Sequence, residues 1–302
     1  DASVKADRDM ICDIIRDGPG FSDVNTKVVN TLTNWMVDSA EWHLRQAFEL
    51  DLSRIDSTLL SLCQNVNKLL RTKGQLDRAA DIVAEALSVS ERAGLAATRD
   101  QAKLFSQLGV VRRRQKRLEA AEAAFGKAQG IYEQRGGLET ADGALLLFNR
   151  AVVNVERGEL ASADGMLSQA AGLAERANVH DKNPGGLIHR ARGNLFRLRG
   201  EYERSAAELE QCERVYRQTG ALSTPLGVAL RREVGDLLRV QGDLAGAMKS
   251  YMEGREVQVS LGVQDSNEGR ELAATIEEVQ LLLDAAAAAG VGQEAPPPPP
   301  AP

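Results

Sequence analysis

Apolar residues recur along this chain in a fixed i, i+4, i+7 pattern, a bulky residue lying between two small ones. The sets are Ala79, Val83 and Ala86; Ala121, Phe125 and Ala128; Ala163, Leu167 and Ala170; Ser205, Leu209 and Cys212; and Ala247, Tyr251 and Gly254. Residues so spaced share one face of an α-helix, and small residues there let a second helix cross closely. Successive sets are 42 residues apart, and polar residues fill the other faces. Each set therefore predicts an amphipathic helix, and the period predicts units that bury their apolar faces by stacking.

Two further series with the same spacing punctuate the helices. Gly74, Lys116, Gly158, Gly200 and Gly242 each lie five residues before a small apolar or Ser position, and Gly94, Gly136, Asn178, Gly220 and Gly262 follow each set. Glycine and asparagine are the residue types that most readily take the left-handed conformation ending a helix, so the series predict two helices per repeat with a turn after each. Lys116 departs from the first series and its turn must accept a Cβ. Pro184 and Pro225 fall in the linkers just before the next helices begin, where proline costs nothing.

Small–x3–large–x2–small in the second helix, preceded by Gly–polar–Leu/Tyr, resembles the tetratricopeptide repeat. Gly109, Ala151, Gly193 and Gly235 match that family's small residue in the first helix. The 42-residue unit is similar to the longer variant of kinesin light chains, nephrocystin-type proteins and LGN/Pins adaptors. The resemblance covers residues 58–262 as five units and implies an all-α, right-handed α-solenoid of helix pairs. Ala40, Leu44 and Ala47 repeat the small–large–small set, so residues 21–57 read as a degenerate repeat, with Trp35 and Trp42 in a terminal packing role. Residues 1–20 read as an N-terminal helix stopped by Gly18-Pro19-Gly20. Residues 263–284 read as a capping helix with an acidic outer face, and 285–302 as an Ala/Pro-rich tail unable to order itself.

Composition narrows the function. The net charge of −6 argues against a nucleic-acid partner, as does the scarcity of groove aromatics for base stacking. Cys12, Cys63 and Cys212 form no metal spacing or disulfide framework, which fits a reducing compartment: the cytoplasm is expected, with a cytoskeletal or ciliary assembly or an organelle stroma as alternatives. No apolar run reaches the length of a membrane span. His43, His180 and His189 have no nucleophile partner at a recognisable spacing, and no phosphate-binding loop occurs. The expectation is a non-enzymatic protein with no catalytic residue, metal or cofactor.

The resemblance also implies where a ligand would lie. In tetratricopeptide arrays the first helix of each pair faces a concave groove, and 25 positions transfer onto this chain. Nine are Lys or Arg and two are acidic. Arg71, Arg113, Arg197 and Arg239 occupy one position in four units, a ladder broken by Val155. Lys68, Arg190 and Arg232 add cations earlier in those helices. Arginine donates paired hydrogen bonds to carboxylates, so the expected partner is an acidic protein segment. Asn65, Asn149 and Asn194 would hold its backbone, and Phe148 and Val152 would receive an apolar side chain. Arg190 and Asn194 match part of the chaperone-type carboxylate clamp, but Glu233 stands where its next amide belongs, so that clamp is incomplete. The alternative function is a C-terminal sensor or oligomerisation array of a larger signalling NTPase, with the catalytic domain upstream of Asp1.

Overall fold

The protein was analysed as a computed structural model that describes residues 20–50 and 56–288. The described residues hold twelve α-helices and no strand. They are α1 (Gly20–Leu50), α2 (Ser57–Thr72), α3 (Leu76–Arg92), α4 (Arg99–Arg114), α5 (Leu118–Gln134), α6 (Ala141–Glu156), α7 (Leu160–Arg176), α8 (Asn183–Leu198), α9 (Tyr202–Thr219), α10 (Pro225–Val240), α11 (Leu244–Ser260) and α12 (Asn267–Ala288). Helices α2 to α11 pair in sequence order, giving the expected all-α solenoid of helix pairs. The chain divides into two compact units at His180/Asp181.

Both units are built on the same crossing. The five bulky–small sets of the second helices are buried, with Ala79, Ala121, Ala163, Ser205 and Ala247 wholly inaccessible. The first helix meets them through its smallest residue. A Cβ added to Gly109 would lie 2.5 Å from the Phe125 ring, and one added to Gly235 would lie 2.4 Å from the Tyr251 ring. In the first pair Asn67 takes that place, and its Nδ2 donates to the Ala79 carbonyl at 2.8 Å, while its Oδ1 is buried without a hydrogen-bond partner among the described residues.

Turns fall where the two series put them. Lys116 and Asn178 adopt left-handed conformations, with φ of 60° and 53°, beside the eight glycines that do so. Ala97, at φ 54°, is a third non-glycine case that the sequence did not announce. A third periodic feature emerges at the starts of the first helices. The side chains of Asp56, Thr98, Thr140 and Thr224 accept from backbone N–H groups of the first turn, and Ser266 Oγ accepts from Gly269 N. Lys182 alone in that series makes no such bond.

The flanks differ from expectation. Residues 20–50 form one continuous helix, not a two-helix repeat, because no glycine or proline interrupts residues 21–49. Its Val37, Leu44 and Phe48 join the core of the N-terminal unit, but Trp35 and Trp42 are 66% and 59% exposed, so neither packs at an end. Ala285 to Ala288, expected in the tail, finish α12. The proposed helix in residues 1–17, Cys12 and the tail from 289 onward lie outside the described residues.

Candidate interaction site on the first helices

All twelve expected site residues lie on first helices of the pairs. In the N-terminal unit α2 packs on α4 and α4 on α6, which brings the faces bearing Asn65, Lys68 and Arg71 beside those bearing Arg113, Phe148, Asn149 and Val152. In the C-terminal unit α8 packs on α10, joining the faces of Arg190, Asn194 and Arg197 to those of Arg232 and Arg239. Register makes this so: side chains one period apart occupy the same turn of neighbouring helices.

The arginine ladder is not an open row of charges. Arg113 pairs with Glu156 of α6, which Lys116 Nζ also approaches at 3.5 Å. Arg190 Nη1 lies 3.2 Å from Glu233 Oε1, Arg232 Nη1 3.6 Å from Glu271 Oε2, and Arg239 Nη1 3.1 Å from Glu278 Oε2. Glu156 and Glu233 belong to the next first helix, and Glu271 and Glu278 to α12, so the chain supplies part of the countercharge that a ligand was expected to bring. These pairs differ in strength. Glu271 and Glu278 are more than half exposed, where an ion pair is worth about 0–1 kcal/mol. Glu233 is buried at 6% exposure. Burial raises its carboxyl above the usual range, with Arg190 and then Arg232 opposing the shift. Removing one member of so buried a pair costs about 3–5 kcal/mol, so Arg190 stays with Glu233.

Two ladder residues stand apart. Arg197 Nη2 donates to Asn194 Oδ1 at 2.7 Å and has no acidic partner among the described residues. Arg71 is half-buried, likewise without an acidic partner there, and its backbone carbonyl accepts from Arg114 Nη1 at 3.0 Å. Burial, then the like charges of Arg114 and Arg113, push the Arg71 guanidinium down to about 10. Phe148, expected to receive a ligand side chain, is only 6% exposed; its ring already belongs to the interior, and half-buried Val152 is the accessible apolar residue nearby in sequence. Asn65 is exposed and Asn149 half-buried.

Residues outside the expected set sharpen the site. Gln64 Nε2, Arg71 Nε, Ser106 Oγ, Gln107 Oε1 and Arg113 Nε are buried atoms with no hydrogen-bond partner among the described residues. All five belong to α2 and α4. In the C-terminal unit the Nε atoms of Arg190, Arg192 and Arg197 on α8 share that condition. Gln64 and Ser106 are among the 25 positions that the resemblance turns toward the groove, and the structure shows that their polar atoms are left over. A hollow of about 530 Å³ lies elsewhere in the N-terminal unit, lined by Leu138, Leu147, Gln169 and Arg176 among others. It includes none of the expected residues, and Arg176 there already pairs with Glu139 at 2.7 Å.

The helix pairs, their period and their glycine-admitted crossings define a tetratricopeptide-type repeat array. No protein-family model matches the sequence, and no curated protein matches it. Solved structures similar to it include a Rap protein complexed with competence and sporulation factor, 15% identical with a TM-score of 0.54 over 92% of this chain and 80% of that one. BtubC (BKLC) from P. vanneervenii is 16% identical, with a TM-score of 0.49 over 89% and 96% of the two chains. A putative kinesin light chain of Podosopora anserina with TPR-like repeats is 13% identical, with a TM-score of 0.49 over 70% and 97%. At these identities the likeness is one of fold.

Proposed function

We propose that the protein is a non-enzymatic interaction scaffold whose first-helix faces bind an acidic, partly apolar segment of a partner protein. The observation that carries this reading is the set of cationic and amide groups on those faces whose buried nitrogen and oxygen atoms lack partners. A buried polar atom left unpaired costs about 1–3 kcal/mol, and the side chains that carry these atoms are only half-buried, so a ligand can meet them and draw the atoms into hydrogen bonds. The exposed pairs Arg232–Glu271 and Arg239–Glu278 are weak enough for an incoming carboxylate to exchange with the chain's own. Asn65, Asn149 and Asn194 offer amides to a peptide backbone, and Val152 offers apolar contact. The Rap protein, which shares the fold, is complexed with competence and sporulation factor, and a similar use of this fold supports the scaffold reading.

The chemistry of the two buried thiols favours binding over catalysis. Burial pushes the Cys63 and Cys212 thiols up to about 12, far from the thiolate a nucleophile needs. No group of three metal-ligating side chains occurs among the described residues, and no helix among them is long and apolar enough to cross a membrane. Free, buried thiols suit a reducing compartment such as the cytoplasm. A random peptide library panned on the whole chain is expected to yield segments rich in Asp and Glu with an interspersed apolar residue. The double variant Arg197→Glu, Arg239→Glu should lose those sequences while its melting temperature stays within a few degrees. Recovered peptides without acidic bias, or recovery unchanged by the double variant, would overturn the proposal.

A further inference from the structure

We infer that helices α2 and α4 form an oxyanion-binding site centred on Arg71, which takes a carboxylate or phosphate group of the partner segment. The inference rests on the scaffold reading and narrows it to one subsite. Arg71 and Gln64 lie seven residues apart on one face of α2, with Lys68 between them. Ser106 and Arg113 occupy the equivalent turns of α4, with Gln107 alongside Ser106. Side chains on a helix lean toward its N-terminus, so the Arg71 guanidinium is carried back toward the level of Lys68.

Three features make this a ligand site and not a helix-end cation. A cation in the last turn gains by meeting the terminal carbonyls. At this end of α2, however, the Arg71 carbonyl is already held by Arg114, while the Arg71 Nε has no partner. Burial, and then the like charges of Arg114 and Arg113, raise the cost of keeping Arg71 ionised where it stands. Glu156, the acid that reaches this end of α4, is engaged by Arg113 and Lys116. The remaining unpartnered atoms are suited to an anion and its attached backbone. The Gln64 amide nitrogen and the two guanidinium Nε atoms donate, the Ser106 hydroxyl donates or accepts, and the Gln107 oxygen accepts a peptide N–H. Arg239, the ladder cation outside this helix pair that has an acidic partner, carries no such unpartnered atom among the described residues.

The test observes every arginine at once. The full chain, labelled with nitrogen-15, is titrated with three capped tripeptides, Ala-X-Ala, in which X is phosphoserine, glutamate or serine, while the arginine Nε–Hε resonances are followed. The Arg71 resonance is expected to move saturably with the phosphoserine or glutamate peptide and not with serine. The tighter of the two anionic peptides identifies the oxyanion. Arg71→Gln should weaken that binding at least tenfold, Arg71→Lys less, and Gln107→Leu about threefold or more. Arg176→Gln, on the other side of the repeat, should leave it unchanged. Circular dichroism melts check that each variant is folded. Equal affinity in Arg71→Gln, or equal response to the serine peptide, overturns the site. Shifts confined to Arg197 and Arg239 would overturn it while leaving the broader scaffold reading standing. Loss of acidic bias in the library with Arg71-dependent binding intact would do the reverse.

Discussion

At the scale of single residues, the protein depends on a few places where a side chain must be absent. Gly235 is one of these: a methyl group there would meet the Tyr251 ring at 2.4 Å, and that ring is fixed by its hydroxyl donating to Asp236 Oδ1 at 2.7 Å. Gly235→Ala is therefore expected to destabilise the C-terminal unit by about 1–3 kcal/mol, as overpacking does in other cores, despite alanine's better helix propensity. Urea unfolding of the whole chain measures it, and a stability at or above the parent's would show that the crossing can open. The need for a small residue here was legible in the sequence, because Gly109, Ala151 and Gly193 share the place. The substitution of Asn67 in the first pair was not, since an amide works there only by reaching the carbonyl of Ala79, a contact no spacing rule supplies.

Among the elements, the helix starts carry the more transferable lesson. Thr140 and Lys182 are equivalent N-caps with similar extended backbones, φ/ψ of −126°/168° and −112°/177°, yet only Thr140 bonds the first turn. Lys182→Thr should stabilise the chain by about 0.5–1 kcal/mol by supplying the missing acceptor for the N–H of Gly185. A thermal melt reads the gain, and an unchanged or lowered midpoint would mean that Pro184 already sets this helix start. The sequence showed where helices stop more plainly than where they begin. A left-handed turn leaves a glycine at a fixed place, whereas Asp, Thr and Ser cap interchangeably and so disguise their common period. The long α1 was illegible for the opposite reason. Its Ala40, Leu44 and Ala47 carry the small–large–small set, but a pattern on one face says nothing about whether a turn precedes it.

For the whole molecule, periodicity revealed the architecture and the facing of the arginines, but not their company. Arg239 meets Glu278 and Arg190 meets Glu233 across 39 and 43 residues, offsets just to either side of one period. Those pairs exist only because neighbouring first helices are in register, and composition alone cannot tell a cation awaiting a ligand from one answered by the next helix. The same register makes the chain's length divisible. Excision of residues 110–151, one full period with both breakpoints inside equivalent helices, should leave a cooperatively melting protein of lower midpoint, since one interface is lost. Excision of 110–149 should abolish the cooperative melt, because two residues turn the rejoined helix face by about 200°. Circular dichroism separates the outcomes, and equal cooperativity in both would refute strict register.

The common period of caps and turns also bears on how such a gene can change. Misaligned recombination between two copies of the repeat removes or adds a whole period wherever the strands exchange, even in the middle of a helix. Every N-cap, turn glycine and core set then keeps its place relative to its neighbours. Copy number is thus a heritable variable that mutation can adjust without first disrupting the fold, while the Arg71 helix pair travels with whichever units retain it.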